Sequence, residues 1–157
     1  MSALAVGATA PDFALAPGPG PDRVTLSQFH GETVVLLFVP LAFSGACTQE
    51  FCQVRDDWSQ WSELGARVLG LSVDSPFVVK RWAEELEIPF PVLSDCNREA
   101  AGAFGVLYED FFGMRDVAKR SAFVIGPGGV VRYAWVSEDA DVMPPFGEIR
   151  GAVQALA

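Results

Sequence analysis

Apolar and polar positions along the chain fall into short runs of two different periods. Thr33 to Val39 is apolar on both faces and rich in β-branched and aromatic residues, the pattern of a central parallel strand. From about Gly45 to Leu64 the period lengthens to that of a helix, with Gln49, Glu50, Gln53, Arg55, Asp56 and Asp57 on its wet side. Gly65 ends that helix, and Arg67 to Val73 reads as the next strand. Ser75 and Pro76 then open a helix, a capping hydroxyl followed by proline at the first helical position, which runs to about Glu87 and stops before Pro89. Phe90 to Ser94 predicts a third short strand, and Asn97 to Phe104 a helix with Gly105 as its stop. Arg120 to Ile125 and Val130 to Ser137 flank Gly126-Pro127-Gly128-Gly129, a hairpin signal, and Phe146 to Leu156 predicts a last helix. Near the start, Phe13 to Ala16 and Val24 to Leu26 bracket Pro17-Gly18-Pro19-Gly20-Pro21-Asp22, a stiff hairpin loop with no domain boundary.

The order is β-β, then β-α-β-α-β-α, then a hairpin and a helix. Right-handed crossovers put helices on both faces of a sheet that is parallel in its middle and antiparallel at its end. The expectation is a three-layer α/β fold forming one domain over residues 1–157. Trp58, Trp61 and Trp82 lie on helical segments and read as core.

Composition narrows the function classes. Half of the residues are hydrophobic and a fifth charged, enough for a real core without disulfide staples. A formal charge of −9 argues against a nucleic-acid partner and against an anionic membrane surface. One histidine, His30, excludes a multi-histidine metal centre, and no metal or other cofactor is expected. Three cysteines suit a reducing compartment better than an extracellular scaffold. The first basic residue is Arg23, so the start lacks a basic n-region, and the apolar run Val34 to Phe43 is too short to span a bilayer. A soluble cytoplasmic protein is expected.

The stretch that carries chemistry is Pro40-Leu41-Ala42-Phe43-Ser44-Gly45-Ala46-Cys47-Thr48-Gln49-Glu50-Phe51-Cys52. It lies where the central strand gives way to a helix, at the carboxyl end of the sheet, where open α/β folds keep their sites. With Ser44 as N-cap, Cys47 sits in the first turn, facing unpaired amides and the positive end of the helix dipole, which favours a thiolate. Taken alone, the same cysteine reads equally well as a buried structural residue.

The spacing of Pro40, Ser44 and Cys47 resembles the peroxidatic motif of peroxiredoxins, Pro-x-x-x-Thr/Ser-x-x-Cys. Val6-Gly7-Ala8-Thr9-Ala10-Pro11-Asp12-Phe13, Val92-Leu93-Ser94-Asp95 and Arg120-Ser121-Ala122-Phe123-Val124-Ile125 are similar to the family's opening, mid-chain strand and late Arg-bearing strand. The resemblance implies a thioredoxin-like fold with an N-terminal hairpin extension and reduction of hydrogen peroxide and organic hydroperoxides. It implies Cys47 as the nucleophile that becomes a sulfenic acid, Ser44 in the position of the family's threonine, Arg120 as the charge beside the thiolate, and Pro40 as a shield against water. Thiolate formation alone does not make such a site fast. Lowering a thiol pKa from about 8.5 to about 6 raises the thiolate fraction roughly tenfold to twentyfold near neutral pH. A Brønsted slope near 0.45 returns about tenfold of that. Donors that hold the peroxide must supply the rest.

Two subfamily resemblances coexist. Pro40-Leu41-Ala42-Phe43-Ser44-Gly45 resembles AhpE, which often works with one cysteine; Cys47-Thr48-Gln49-Glu50-Phe51-Cys52 resembles PrxQ, the bacterioferritin comigratory protein. Cys52 is then the candidate resolving thiol, Cys96 its alternative, and an external thiol the third route. In an intact helix, residues five apart have Cα atoms about 8 to 9 Å apart. A disulfide needs less than about 7 Å. Either the helix unwinds or Cys52 does not resolve. Glu50 is a supporting candidate that reads equally as a solvated glutamate, and Arg55 is similarly ambiguous. The implied partners are a peroxide and a thioredoxin-like or low-molecular-weight thiol, with the chain as monomer or homodimer. The competing functions are a thioredoxin-like disulfide oxidoreductase, which normally needs Cys-x-x-Cys, and a redox-sensing module.

Overall fold

The structure, a computed structural model, describes residues 2–157. Ala14–Leu15 (β1) and Val24–Thr25 (β2) pair as an antiparallel hairpin, and a 3-10 turn at Ser27–Phe29 follows. Asp12 anchors this corner: its Oδ1 accepts from the amides of Phe13 and Ser27, both at 2.9 Å. Val34–Phe38 (β3) is the central strand and leads into Gly45–Asp56 (α1) and Trp58–Glu63 (α2). Arg67–Ser72 (β4), Pro76–Leu86 (α3), Val92–Ser94 (β5) and Glu99–Ala103 (α4) complete the parallel half. Leu107–Tyr108 (β6) and Val117–Ala118 (β7) form a small hairpin. Ser121–Ile125 (β8), Val131–Val136 (β9) and Phe146–Gln154 (α5) close the fold.

The main sheet has the order β5-β4-β3-β8-β9. β3, β4 and β5 run parallel; β8 is antiparallel to β3, and β9 to β8. All five β3 residues are buried, because the pleat sends them alternately into two cores. Val34, Leu36 and Phe38 pack with Leu15, Leu26, Ala101 and Phe104, under the N-terminal hairpin and α4. Val35 and Leu37 pack with Phe51, Val54, Trp82 and Ile149, under α1, α3 and α5. Among the described residues, no helix is long and apolar enough to cross a membrane.

The predicted element order holds, with four local corrections. The helix expected over 45–64 is two helices, broken at Asp57 (φ −99°, ψ 20°). Val54, Trp58 and Trp61 keep helical spacing across the break, so the periodicity carries no sign of it. The helix expected from Asn97 begins at Glu99, because Arg98 adopts a left-handed conformation (φ 56°) and Asp95 caps the amides of Ala100 and Ala101 instead. The β6–β7 hairpin has no signature in the sequence pattern, since two-residue strands are too short to show a period. Glu50, assigned to the wet side of its helix, is fully buried. It lies on the stripe Cys47, Glu50, Phe51 and Val54, the i, i+3, i+4, i+7 face that packs on the sheet.

Candidate active site

β3 ends at Phe38, and the buried Pro40 begins a short loop to α1. Phe43 sits in the left-handed region (φ 66°), uncommon for an aromatic residue, and Ser44 follows in extended conformation as the N-cap. The Ser44 hydroxyl accepts from the Cys47 amide at 3.4 Å, and its carbonyl accepts from Thr48 at 3.0 Å. Cys47 therefore stands in the first turn of α1, and it is wholly buried.

Arg120 comes from 73 residues away, and the register explains its arrival. Antiparallel pairing sets Ser121 of β8 opposite Phe38 of β3, so the residue just before β8 lies beside the end of the central strand. Read as a sequence, Arg120 had a surface cation as its ordinary interpretation; it is 1 % exposed. Each of its three guanidinium nitrogens donates. Nη2 donates to Cys47 Sγ at 3.3 Å, Nη1 to Glu50 Oε1 at 2.8 Å, and Nε to the Ala140 carbonyl at 2.7 Å. Burial works against the cation, but the Cys47 and Glu50 side chains on either side more than offset it and hold it charged.

Glu50 thus belongs to the constellation. Its Oε2 has no hydrogen-bond partner although it is buried. Burial pushes its carboxyl up to about 7, against the opposing charge and hydrogen bond of Arg120. An unfolded glutamate titrates near 4.5, so between those two pH values the folded protein holds a proton that the unfolded chain has lost. This group's stabilisation is full below about 4.5, falls as pH rises towards 7, and is gone above it. Glu50→Gln is expected to remove that falling limb. Urea unfolding from pH 5 to 8 should show the variant gaining on the wild type as pH rises to 7; parallel curves would contradict the buried, proton-binding Glu50. Arg120 and Cys47 are the other ionisable groups facing Glu50 here, and both remain in the variant.

Other candidates are not brought in. Cys52 lies on the intact α1, half-buried, and all three cysteines are free thiols. Cys96 follows β5, which ends at the same edge of the sheet as β3 but two strands away, about 10 Å by strand spacing. It shares a small cleft with Ala14, Ala16 and Glu99, beside the N-terminal hairpin and α4. Arg55 is structural: it donates to the Leu86 carbonyl at 2.6 Å and pairs with Asp56 at 3.0 Å. Trp61 and Trp82 are buried core, as expected. Among the described residues, no three His, Cys, Asp or Glu side chains group as metal ligands. Two contributors gave no sequence signal. The Ala140 carbonyl binds through its backbone, and Asp74 accepts from the Ala42 amide at 2.7 Å across 32 residues.

Comparison with known proteins gives the family and the fold. The AhpC/TSA family matches residues 6–134. The chain belongs to that family. It is 36% identical over 142 residues to alkyl hydroperoxide reductase E of Mycobacterium tuberculosis, covering 88% of this chain and 90% of the relative. It is 34% identical over 137 residues to peroxiredoxin Bcp of Escherichia coli, covering 86% and 87%. Both subfamily resemblances are therefore supported. The crystal structure of peroxidoxin BcpB from Mycobacterium tuberculosis superposes with a TM-score of 0.82 at 29% identity, covering 97% of each chain. A peroxiredoxin-like protein from Aquifex aeolicus gives 0.88 at 23% identity, covering all of this chain and 90% of the other, and shows the shared fold. The architecture is the thioredoxin-like peroxiredoxin fold, and the enzyme is a thiol peroxidase.

Proposed function

We propose that Cys47 is the peroxidatic nucleophile of this peroxidase, with Arg120, Ser44 and Pro40 forming its immediate surroundings and Glu50 orienting Arg120. One observation carries the reading: a cysteine in the first turn of α1 receives a guanidinium hydrogen bond at 3.3 Å inside a buried site. The thiolate attacks the terminal oxygen of a peroxide, the O–O bond breaks, and with one proton taken up the products are Cys47 sulfenic acid and water or an alcohol. The Arg120 guanidinium and the amides of the first turn are placed to stabilise negative charge as that bond lengthens. Pro40, buried at the end of β3, keeps water from the back of the loop. The substrates in this reading are hydrogen peroxide and organic hydroperoxides. The whole chain serves as one domain, acting as monomer or homodimer.

Cys52 is the favoured resolving thiol. Its sulfur condenses with the Cys47 sulfenic acid, forming an S–S bond and releasing water, and a thioredoxin-like or low-molecular-weight thiol then reduces that disulfide. The intact α1 keeps the two Cα atoms about 8 to 9 Å apart by helix geometry, so the first turns must unwind after oxidation. Cys96 is less well supported, given its place beside the other face's elements. Single-turnover oxidation with hydrogen peroxide followed by peptide mapping is expected to yield a Cys47–Cys52 link. A Cys96-linked peptide, or a lasting sulfenic acid with Cys52 free, rejects that route; the second result favours an external thiol, the reading the AhpE likeness supports.

A further inference from the structure

We propose that the corner formed by β4 and α3 is a clamp, acting through Asp74 and Trp82, that holds the Ala42–Cys52 segment wound and sets the rate at which it opens. The use of that opening for disulfide formation rests on the reading that Cys52 resolves. Asp74 and Trp82 are positioning residues; neither touches the reacting sulfur.

The contacts converge on one stretch of chain from one side. Asp74 follows β4 at the carboxyl edge of the sheet, and its Oδ2 accepts from the Ala42 amide at 2.7 Å. The same oxygen accepts from the Ser72 hydroxyl, and the Asp74 backbone carbonyl accepts from Ser94 Oγ at 2.6 Å, so β4 holds the carboxylate and β5 the backbone behind it. Trp82, in the middle of α3, is fully buried, and a buried indole N–H needs an acceptor. It finds Thr48 Oγ1 at 3.3 Å, one residue after Cys47. The same ring stacks on Phe51 at 4.9 Å and lies 6.4 Å from Phe43. Phe51 in turn rests against Gly70 of β4, where a Cβ would come within 2.6 Å of its ring, so the phenylalanine is wedged between Trp82 and the sheet. Beyond Cys52, Arg55 donates to the Leu86 carbonyl, one of the acceptors left open at the end of α3.

The clamp has something to resist. Phe43, at φ 66°, is in a region that an aromatic side chain adopts only when its surroundings impose it. Its ring is half exposed, so core burial does not supply that restraint. The restraint comes from the Asp74 bond on one side and the Ser44 cap on the other. Releasing Ala42 lets Phe43 relax, and relaxation pulls on the cap that starts α1. Unwinding from Ser44 to Cys52 must then break the Thr48–Trp82 bond and slide Phe51 out from under the indole. The segment from Ala42 to Cys52 thus carries strain just ahead of the cap and is closed by contacts from the β4–α3 corner.

Hydrogen exchange on the reduced full-length protein tests this directly, together with single-turnover disulfide formation. Asp74→Ala is expected to speed exchange of the Ala42–Cys52 amides by about tenfold, the loss of one charge-assisted hydrogen bond, with the α5 amides unchanged. Asp74→Asn keeps an acceptor oxygen and should recover most of the protection. Trp82→Phe keeps the stack and loses the N–H; Thr48→Val removes the same bond from the other side. The two should have like effects that do not add in the double variant. After one equivalent of peroxide, the single variants should form the Cys47–Cys52 disulfide faster by a similar factor and, under excess peroxide, lose less Cys47 to sulfinic acid. Folded variants with wild-type exchange in this segment and wild-type disulfide rates overturn the clamp. A rise in exchange spread equally over the chain overturns it too, since that is general destabilisation. If the segment's exchange rises selectively but the wild type forms no Cys47–Cys52 link, the clamp stands and the Cys52 reading falls.

Discussion

Replacing Cys47 by serine is expected to abolish peroxide reduction, with a fall of at least about 10⁴-fold in the second-order rate of peroxide consumption. The environment that makes the sulfur useful does nothing comparable for a hydroxyl. A serine at 47 has the Arg120 guanidinium within reach, and that group is held in its charged state and cannot take a proton. The chain's only histidine, His30, lies next to the 3-10 turn that ends at Phe29, beside the start of β3 and so at the opposite edge of the sheet. The nearest carboxyl, Glu50, is tied through Oε1 to Arg120, and the side chain hydrogen-bonded to the sulfur is Arg120 rather than a base, so no base contacts a hydroxyl placed there. The exchange is nearly isosteric, so thermal unfolding should stay close to wild type, with loss of activity but not of fold. Cys52 and Cys96 remain in the variant and set its background, which should match that of an ordinary exposed thiol. Stopped-flow peroxide consumption with a coupled thiol reductant gives the rate. Activity within tenfold of wild type would move the nucleophile to another cysteine. An insulin-reduction assay on the wild type separates the rival disulfide-exchange chemistry, which the Cys-x4-Cys spacing does not favour.

How much of this was legible before folding varies by residue, for physical reasons. The central strand was readable because Val34 to Phe38 is apolar throughout, and only a strand covered on both faces asks for that. The Ser75-Pro76 start was readable because capping is local: the Ser75 hydroxyl does accept from Val78, at 3.3 Å. The position of Cys47 behind a serine cap is local in the same sense. Arg120 was legible only through likeness to a family, because its placement depends on the Phe38–Ser121 register, a pairing 83 residues apart that no window of sequence contains. Glu50 was half legible. It stood as a supporting candidate with a solvated glutamate as its equal alternative; its polarity assigned it to solvent, while its spacing from Cys47, Phe51 and Val54 put it on the buried stripe. Where polarity and period disagree at one position, a partner reaching in from elsewhere resolves the conflict, and here that partner is Arg120. Asp74 had no comparable signal, since its acceptor role is towards a backbone amide on another segment.

Removing that partner gives the second large effect. Arg120→Ala is expected to slow Cys47 oxidation by about 10²- to 10³-fold, the usual loss when a preorganised donor leaves a dry site. The same substitution withdraws a charge from beside the sulfur, so the thiolate fraction at neutral pH should also drop. Stability falls too, because Glu50 is then buried with both oxygens unpaired. Breaking a buried pair by deleting one partner costs roughly 3–5 kcal/mol. That cost depends on pH, and its direction is set by Glu50. With the opposing charge gone, burial pushes the carboxyl above its wild-type value of about 7, so the variant's folded state stays protonated over a wider range. The unfolded chain is ionised in both proteins at that pH. Above 7 the variant therefore keeps losing stability as pH rises, while in the wild type this group's contribution has levelled off. The gap between them should widen from pH 7 to pH 9 in urea titrations. Arg120→Lys separates charge from geometry. An ammonium can reach one of Cys47, Glu50 and the Ala140 carbonyl but cannot span all three as the guanidinium fork does. It should recover part of the stability and little of the rate. A lysine variant with the full wild-type oxidation rate would show that charge alone suffices, and an alanine variant with that rate would remove Arg120 from the site.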